Sequence, residues 1–466
     1  MGEQISITEI LGYSEGRCGY CKNEKMKRKL NLGEKKGNEE EMKGSSVSLG
    51  AWAHKLDVYD YQMLLNGGWR RSGSYLYKPD MEKTCCPQYT IRLDVDKFTL
   101  SRTQKRVLRN MQLYLEKGVK GKGEKEERGE KKRKPEEKND NDRMEEEKKE
   151  EDVHMEREGR GEKKKAMRRK RAIEKWTMKG KNVEDEMEKR MNREKNRVKT
   201  LEERIAVDYG EGFSHRLEIQ LVPVNSQEYL EKAEEEYALF KKYQESIHSD
   251  EDVTQRGFDR FLVKTPLCST NPSLGSFHMR YLMDGSIIAV GVVDILSESV
   301  SAKYLFYDPD YSFLSLGTYT ALREIQLVRK LASSMPLIRY YYMGYYISDC
   351  PKMRYKGTFR PSDLLCDKTL TWVPLSECSP LLSSNSHLFT IFRPSLPNAH
   401  RLDPKDAKLY LSKGITNIDS LPPIIKAKIN DKLESFCNLT TPDASKLVLV
   451  MKELQIEDDS DDDEEM

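Results

Sequence analysis

The chain has 466 residues, a length that corresponds to about three domains of roughly 150 residues each. Its 80 basic and 78 acidic residues nearly cancel, yet charged residues make up 34% of the chain and hydrophobic residues only 37%. This composition excludes a uniformly packed globule and predicts separate ordered and solvated parts. No run of about 18 apolar residues occurs, which excludes a membrane-spanning helix. Nine cysteines without a secretory signal predict an intracellular protein whose thiols are free or bind metal.

The first predicted folded block, residues 5–116, contains two cysteine pairs. Cys18 and Cys21 form a Cys-x-x-Cys turn, and Cys85 is followed directly by Cys86. Two spacer residues let both thiolates of such a turn reach one metal ion. The adjacent pair could complete a tetrahedral site or help to hold an iron–sulfur cluster. Redox-active or merely buried thiols are the alternative.

A charged segment, residues 117–205, follows the first block. Between Gly121 and Lys170 it has 19 basic and 17 acidic residues, and so few apolar ones that burial cannot offset the entropy of ordering. We expect a charged low-complexity insertion or linker, helical in part between Ala172 and about Glu203. Its basic runs could be nuclear-import signals or phosphate-binding patches. Residues 453–466 form an acidic tail, whose like charges repel.

The second predicted folded block, residues 206–452, alternates strands and helices. An apolar, β-branched run is typical of a central strand, and apolar residues three and four apart predict amphipathic helices. In chain order we predict a strand at 217–222, a helix at about 229–247, a strand at 286–296 with a hairpin partner at 302–307, a helix at 317–331 and a strand at 338–347. The order hairpin, helix, strand is found in acyl-transferring folds and in many other α+β domains. The predicted fold class is therefore α+β.

Several strings of residues resemble one known family. In the first block they are 18–21, 68–73 and 85–92, and in the second block they are 308–317, 321–325, 340–344, 350–357 and 360–365. Their order and their residues are similar to the arginyl-tRNA–protein transferases, over both blocks. Residues 117–199 match nothing in that family core, and similarity is weak beyond Pro374.

This resemblance implies an enzyme that moves arginine from arginyl-tRNA to the α-amine of proteins beginning with Asp, Glu or oxidised Cys. The product enters the N-degron route to ubiquitin-dependent degradation, in the cytoplasm and nucleus. The resemblance further implies a catalytic half with a GCN5-related acetyltransferase-like fold. Zinc or an iron–sulfur cluster is implied at Cys18, Cys21, Cys85 and Cys86, with no nucleotide cofactor beyond arginyl-tRNA. The implied partners are arginyl-tRNA and the acceptor proteins, with a ubiquitin ligase downstream and no membrane.

The chemistry of this reaction selects candidate catalytic residues. The arginyl ester is already activated, so the enzyme must orient a neutral amine and stabilise a tetrahedral oxyanion. Asp308 and Asp310 follow a predicted strand, and with Tyr307 they are the predicted catalytic residues. The two carboxylates could hold the donor guanidinium or orient the amine, or they could only cap the helix that follows.

An acceptor carboxylate requires a cation, and a guanidinium binds it in two-point fashion. The predicted substrate-binding residues are Arg323, Lys352, Arg354, Lys356, Arg360, Trp69, Arg70 and Arg71. Arg323 could instead be an exposed helical residue paired with a neighbouring carboxylate. The alternating cations of residues 352–356 would share one face of an extended segment, which suits tRNA phosphates too. The cluster at 69–71 is either acceptor recognition or a loop anchor.

Two functions other than arginyl transfer are the alternatives. An acyl-CoA-dependent transferase of the same fold needs a glycine-rich pyrophosphate loop, but residues 314–320 contain only Gly317. A metal-stabilised RNA-binding or scaffold protein would use the basic runs, but it leaves the dense motifs of the second block without a role. It would bind tRNA without modifying a peptide.

Overall fold

The structure is a computed structural model that describes residues 5–21, 45–119, 199–385, 388–411 and 414–454, with short pieces at 172–173, 176–178, 180 and 182–188. The acidic tail beyond residue 454 and most of the predicted charged insertion lie outside the described residues, as does part of the predicted helix between Ala172 and Glu203. In the described part of the chain, no helix is both long and apolar enough to cross a membrane.

The chain divides into two compact units, residues 1–121 with 207–466, and residues 122–206. The smaller unit contains a short helix, Leu201–Ile205, whose amino terminus is closed by a capping box between Thr200 and Glu203. The larger unit contains both blocks that the sequence predicts to be folded. The predicted domain limits at residues 116 and 206 stay a prediction, and the two blocks contribute strands to the same sheets, as described below.

Two mixed sheets form the larger unit. The strands are β1 (Ile7–Gly16), β2 (Ser46–Asp57), β3 (Arg70–Ser72), β4 (Tyr75–Pro79), β5 (Tyr89–Asp94), β6 (Leu217–Pro223), β7 (Leu267–Cys268), β8 (Gly275–Met283), β9 (Ser286–Ile295), β10 (Ser299–Tyr307), β11 (Tyr340–Tyr346), β12 (Ser362–Leu365), β13 (Trp372–Pro374), β14 (Lys408–Leu411), β15 (Gly414–Thr416) and β16 (Val448–Val450).

The α-helices of the described residues are α1 (Val58–Asn66), α2 (Arg102–Lys117), α3 (Leu201–Ile205), α4 (Gln227–Leu230), α5 (Ala233–Tyr243), α6 (Gln255–Phe258), α7 (Leu316–Ala332), α8 (Pro351–Arg354), α9 (Leu375–Ser384) and α10 (Pro423–Asn438). Two π-helical turns, Gln244–His248 and Asp259–Val263, extend α5 and α6. The 3₁₀ turns are Pro309–Leu314, Tyr355–Thr358, Pro404–Asp406, Ile418–Ser420, Pro442–Lys446 and Lys452–Leu454.

The first sheet has the strand order β15-β14-β16-β1-β2-β4-β3, and β7 also pairs with β2. Its centre is the long antiparallel pair β1–β2, in which Leu49, Ala51 and Ala53 are buried on one face. The carboxy-terminal strand β16 pairs in parallel with β1, with Ile7 opposite Val448. The two ends of the described chain therefore lie side by side in this sheet.

The second sheet has the order β13-β12-β5-β11-β10-β9-β8-β6. Strand β5 comes from the amino-terminal block, yet it lies between β11 and β12 and pairs antiparallel with both. Helix α7 packs against β10 and β11, and it buries Leu322, Ile325 and Val328 as the helical period requires. The mixed α/β character of the predicted fold is confirmed.

The elements predicted for the second block are confirmed at 217–223, 286–295, 299–307, 316–332 and 340–346. The predicted helix near 229–247 is present as α4, α5 and the first π-helical turn. Strands β10 and β11 position the site, because their parallel pairing covers only residues 299–301 and 340–342. Beyond Ser301 and Tyr342 the two strands no longer pair, and a cavity lies there.

Candidate active site and cysteine cluster

A cavity of about 160 Å³ lies where β10 and β11 stop pairing. Residues 301–303 of β10 and residues 343–345 of β11 form one part of its wall, and β3, β4, β9, α1, the Cys-x-x-Cys turn and the segment 353–356 contribute the rest. Its charged lining residues are Arg70, Arg71, Lys303, Lys356 and Asp294. Four cations thus surround the cavity with one carboxylate among them.

Arg71 and Asp294 neutralise each other at the wall of this cavity. The Arg71 Nε donates to Asp294 Oδ2 at 2.8 Å and Nη2 donates to Oδ1 at 2.5 Å, and both side chains are 1% exposed. A third hydrogen bond runs from Nη2 to the Ser276 hydroxyl at 2.7 Å. This bidentate pair joins β3 of the first sheet to β9 of the second. No carboxylate of the described residues pairs with the other three cations of the cavity.

Arg70 is held by backbone carbonyls rather than by an acid. Its Nη1 donates to the carbonyl oxygens of Leu65 and Trp69, and its Nη2 to that of Gly344 at 3.4 Å. The guanidinium carbon lies 5.1 Å from the centre of the Tyr345 ring. Its Nε is buried and has no hydrogen-bond partner among the described residues. This nitrogen is a buried, unsatisfied donor on a guanidinium whose other two nitrogens are fixed by backbone carbonyls.

Lys303 and Lys356 complete the cationic lining. The Lys303 ammonium donates to the Phe261 carbonyl oxygen at 2.6 Å, and the Lys356 ammonium to the Tyr345 carbonyl oxygen at 2.8 Å. Burial and the nearby Arg71 lower the pKa of Lys303 well below its usual value. Burial and the charge of Arg70 lower the pKa of Lys356 to about 8. Burial is the larger cause of both shifts, so the two ammonium groups are poorly solvated and a bound anion would favour their charged forms.

Trp69 is a buried packing residue. Its side chain is 1% exposed, its indole N–H donates to the Leu439 carbonyl oxygen at 3.3 Å, and its ring centre lies 5.4 Å from that of Phe436. Trp69 therefore anchors the loop before β3 to helix α10. Of the predicted cluster at 69–71, Arg70 and Arg71 line the cavity and Trp69 does not.

The predicted catalytic residues lie elsewhere on the second sheet. The Asp308 carboxylate caps the 3₁₀ turn that follows by accepting from the Asp310 amide at 3.0 Å. Lys242 of α5 donates to Asp308 at 2.6 Å and to Asp310 at 2.7 Å. Tyr307 packs its ring 5.0 Å from that of Tyr243. None of the three predicted residues lines the cavity, and their catalytic role stays a prediction.

The remaining predicted substrate-binding residues do not line the cavity either. Arg323 donates to the Tyr319 hydroxyl at 2.9 Å and to Gln326 at 3.1 Å, within helix α7. Lys352, Arg354 and Arg360 are exposed. The prediction of an extended segment at 352–356 is wrong, because Pro351 at the first position of helix α8 and the following 3₁₀ turn make it helical. Lys356 therefore faces the cavity while Lys352 and Arg354 face solvent.

The four predicted metal-ligand cysteines come together beside the cavity. The sulfur atoms of Cys18, Cys21, Cys85 and Cys86 lie within 4.8 Å of one another, and those of Cys21 and Cys85 are 3.5 Å apart. Four thiolates around one tetrahedral zinc ion, at about 2.3 Å from it, lie about 3.8 Å apart. The separations therefore fit a single tetrahedral ion. In an iron–sulfur cluster the cysteines bind different iron atoms, so the sulfurs would have to move apart.

The electrostatics of the cysteine cluster also suit a metal. Hydrogen bonds from Cys86, and then from Cys21 and Cys18, lower the pKa of Cys85 to about 5. Burial raises the pKa of Cys18. A thiolate that its neighbours already stabilise is the form that binds metal. A fifth cysteine, Cys350, packs against the cluster but is not one of the four sulfurs that lie within 4.8 Å of one another.

The cysteine cluster and the cavity share parts of their walls. Tyr20 lies inside the Cys-x-x-Cys turn and lines the cavity, where its hydroxyl donates to Gln88 at 3.4 Å. Met353 packs against the cysteine cluster and also lines the cavity. The geometry of the cysteine turn thus fixes one wall of the cationic cavity.

Sequence reasoning missed Lys303, Asp294 and Lys242. Lys303 belongs to a strand whose register shifts between Ala302 and Tyr304, so strict alternation gives the wrong face for it. Asp294 could have been found from the sequence, since it is the single acidic residue in an apolar run. A lone carboxylate in a buried strand requires a partner.

Comparison with known proteins matches both parts of the chain to one family. Residues 16–106 match the family described as arginine-tRNA-protein transferase, N terminus, and residues 235–366 match its C terminus. The chain is 34% identical over 421 residues to arginyl-tRNA–protein transferase 1 of Drosophila melanogaster, covering 80% of this chain and 83% of that protein. It is 32% identical over 487 residues to arginyl-tRNA–protein transferase 2 of Arabidopsis thaliana, covering 82% and 77%.

A shorter match reaches a bacterial protein that is named a leucyltransferase. The aspartate/glutamate leucyltransferase of Stutzerimonas stutzeri is 36% identical over 147 residues, which cover 31% of this chain and 57% of that protein. The longer matches and the two family regions agree with each other. This chain belongs to the arginyl-tRNA–protein transferase family.

Proposed function

We propose that this chain transfers arginine from arginyl-tRNA to the α-amino group of proteins whose first residue is Asp or Glu. The observation that carries the acceptor specificity is the cationic cavity, in which Arg71 is paired with Asp294 while Arg70, Lys303 and Lys356 pair with no carboxylate in the part of the chain that the structure describes. The bacterial relative named for aspartate and glutamate acceptors supports the same acceptor class. Oxidised amino-terminal cysteine is also acidic and belongs to this class.

In this proposal the acceptor's side-chain carboxylate binds between Arg70, Lys303 and Lys356. The Arg70 guanidinium supplies positive charge at the cavity wall. The two lysines, whose pKa values are lowered without an anion, regain their full charge when a carboxylate binds. A neutral amide or alkyl side chain would leave these cations buried without compensation. Discrimination against such acceptors follows from that cost.

The chemical step requires little beyond this positioning. An α-amine has a pKa of about 7.7–8.0, so at neutral pH a fraction is already a nucleophile. Its attack on the ester carbonyl forms a tetrahedral oxyanion. Collapse of that intermediate breaks the bond to the ribose oxygen of tRNA, which leaves as a hydroxyl after taking up the proton that the attacking nitrogen releases. The backbone amides of Met343 and Gly344, which lie beyond the β10–β11 pairing at the cavity wall, are the proposed oxyanion donors. Asp308, Asp310 and Tyr307 are proposed to act from the neighbouring strand end on the donor arginine.

Exposed cations outside the cavity are proposed to face the donor RNA. Lys352, Arg354 and Arg360 lie on the segment that also carries Lys356, and all three are exposed. Arg323 is proposed to bind donor or acceptor from helix α7. Long cationic side chains in water bind phosphate oxygens, which position an RNA without reading its sequence.

The proposed catalytic half has a GCN5-related acetyltransferase-like fold. Hairpin β9–β10, helix α7 and the parallel strand β11 follow one another, and β10 and β11 diverge at the cavity. That order and that divergence support the proposal. The cysteine cluster is proposed to bind zinc or an iron–sulfur cluster through its four thiolates, and the bound group would fix the position of Tyr20. The modified proteins are proposed to enter ubiquitin-dependent degradation, in the cytoplasm and nucleus.

A transfer assay tests this function. The purified full-length chain, arginyl-tRNA labelled in its arginine, and peptides that differ only in their first residue are the components. We expect labelling of peptides beginning with Asp or Glu, and little labelling of those beginning with Asn or Ala. The Asn peptide is the sharper control, since it has the shape of Asp without its charge. Equal labelling of all four peptides would refute the acceptor site, and absence of labelling with tRNA binding intact would favour an RNA-binding protein.

A further inference from the structure

Helix α2 carries a row of cations that the proposed acceptor site does not use. Arg102, Arg106 and Arg109 are exposed, and Lys105 is partly exposed. Because residues three and four apart share one side of a helix, these cations form a single row about 10 Å long. We call them the α2 basic row. The opposite side of the helix packs inward through Gln104, Val107, Leu108, Met111, Tyr114 and Leu115.

The cations of the α2 basic row lie at positions where positive charge destabilises the helix. The amino terminus of a helix is its positive end and favours acidic residues, yet the first acidic residue of α2 is Glu116. The capping box of this helix uses the neutral Gln104 opposite Ser101. Arg102 and Arg106 form a like-charged pair four residues apart, and Lys105 and Arg109 form another.

Nothing in the described part of the chain neutralises these charges. Salt bridges occur at many other surface positions, but none of the four residues of the α2 basic row pairs with an acidic group that the structure describes. A helix that is cationic at its positive end and lacks ion pairs has a surface suited to an external polyanion.

The α2 basic row lies next to the segment that carries the cavity residue Lys356. The Gln104 side-chain amide donates to the Thr358 carbonyl oxygen at 3.4 Å, and the Thr99 amide donates to the Arg360 carbonyl oxygen at 3.3 Å. Lys356, two residues before Thr358, lines the cavity. The start of α2 is therefore fixed against the segment that carries Lys356 and the exposed Arg360.

We propose that the α2 basic row binds the phosphodiester backbone of the donor RNA, along the base-paired stem that follows its single-stranded aminoacylated end. This proposal rests on the proposed function, because it takes arginyl-tRNA as the donor. Three of the four cations are arginines, whose planar forks match phosphate oxygens. The row has no apolar or acidic member that would read an amino-acid sequence, so backbone phosphates fit it better than an acidic protein does.

Salt-dependent binding of tRNA tests the α2 basic row. The variant is Arg106→Gln/Arg109→Gln, and the control is Lys405→Gln/Lys428→Gln, which removes the same charge from two exposed lysines away from α2. Glutamine keeps helix propensity and relieves repulsion, so α2 remains folded. Dissociation constants for uncharged tRNA are measured over a series of salt concentrations in full-length proteins. Each lost phosphate contact lowers the slope of log affinity against log salt by about 0.7–0.9.

We expect the Arg106/Arg109 variant to bind tRNA at least tenfold more weakly at low salt, with a slope reduced by about 1.5. The KM for an Asp-starting peptide should not change, and the Lys405/Lys428 control should match the wild type. Unchanged affinity and slope in the variant would overturn the proposal. So would loss of binding to a polyglutamate peptide with tRNA binding intact, which would assign the row to an acidic protein. Because binding uses uncharged tRNA, failure of arginine transfer would count only against the proposed function.

Discussion

The hydroxyl of Tyr341 donates a hydrogen bond to the Glu324 carboxylate at 2.5 Å, and both side chains are at most 3% exposed. Glu324 belongs to α7 and Tyr341 to β11, so this contact joins the helix to the sheet beneath the site. A Cβ placed on Gly291 would lie 2.6 Å from Glu324 Oε1, which explains why the facing residue of β9 has no side chain. No cation forms a salt bridge with Glu324 among the described residues. Burial raises the pKa of this carboxyl to about 7.

The raised pKa of Glu324 predicts how stability depends on pH. The folded protein holds the proton up to about pH 7, whereas the unfolded chain releases it near 4.5. The folded state therefore binds more protons in this range, and stability falls as pH rises from about 4.5 to 7. Neighbouring Tyr281, Tyr341 and Tyr355 have raised pKa values and do not titrate there. In the variant Glu324→Gln this fall in stability with rising pH should be absent.

Urea unfolding at pH 5 and pH 8 measures the effect. Between these two values the wild type should lose about 2–3 kcal/mol relative to Glu324→Gln, because each unit of pKa shift corresponds to about 1.4 kcal/mol. The exposed carboxylate Glu251 provides the control variant Glu251→Gln, which should follow the wild type at both pH values. Parallel pH profiles of wild type and Glu324→Gln would contradict the prediction.

The buried ion pair of Arg71 and Asp294 predicts that the free energy of unfolding depends strongly on both partners. Arg71→Met leaves the Asp294 carboxylate buried without its bidentate partner, and such a loss costs about 3–5 kcal/mol. Arg71→Lys should also destabilise, because an ammonium cannot make both hydrogen bonds. The double variant Arg71→Met/Asp294→Leu should recover most of the free energy of unfolding. The denaturant midpoints of the wild type and of these three variants measure the changes in stability. A double variant less stable than Arg71→Met would contradict the prediction.

The sequence predicts the centre of the second sheet well, for a physical reason. Strands β9 and β10 and helix α7 are long, apolar and adjacent in the chain, so local pattern and global packing agree. Strands β14 to β16 are three or four residues long. They depend on pairing across the whole chain, as with Ile7 and Val448, and no local pattern reveals such a contact. The same holds for β5, which joins the sheet of the other block.

The candidate site also has residues that the sequence predicts and others that it does not. The four cysteines are recognisable because metal ligation imposes a residue type and a short spacing, and the structure brings them together. Arg70, Arg71 and Lys356 were predicted substrate-binding residues that line the cavity. Lys303 was not predicted, because a register shift in β10 sets its direction. Asp308 follows a strand and precedes a helix, a position that serves capping as readily as catalysis.

The cysteine cluster predicts a loss of bound metal in single variants. Cys18→Ser and Cys85→Ser should each lower the zinc or iron content of the purified protein, since a hydroxyl is a much poorer ligand than a thiolate. Elemental analysis measures both metals, and the geometry of the four sulfurs favours one zinc ion per chain. Cys437→Ser, at a buried cysteine of helix α10, is the matched control and should keep its metal. Full metal content in Cys18→Ser and Cys85→Ser would show that these thiols only pack.

The cationic cavity predicts a selective loss of acidic acceptors. Lys303→Met and Lys356→Met keep most of the side-chain volume and remove the charge, so each should raise the KM for an Asp-starting peptide about tenfold or more. Weak transfer to an Asn-starting peptide should change little. Lys428→Met, at an exposed lysine of α10, is the control. Equal losses for the Asp and Asn peptides would mean that these lysines support the fold rather than the acceptor.

The lowered pKa of Lys356 adds a pH signature to the same site. Its ammonium loses charge as pH rises through about 8, so affinity for a carboxylate should fall above that value. A peptide that begins with N-acetyl-Asp separates this effect from titration of the acceptor's own amine. Its dissociation constant should rise between pH 7 and pH 9 in the wild type. Lys356→Arg should flatten this rise, because a guanidinium stays charged throughout the range. A wild-type affinity that is constant over this range would remove Lys356 from the acceptor site.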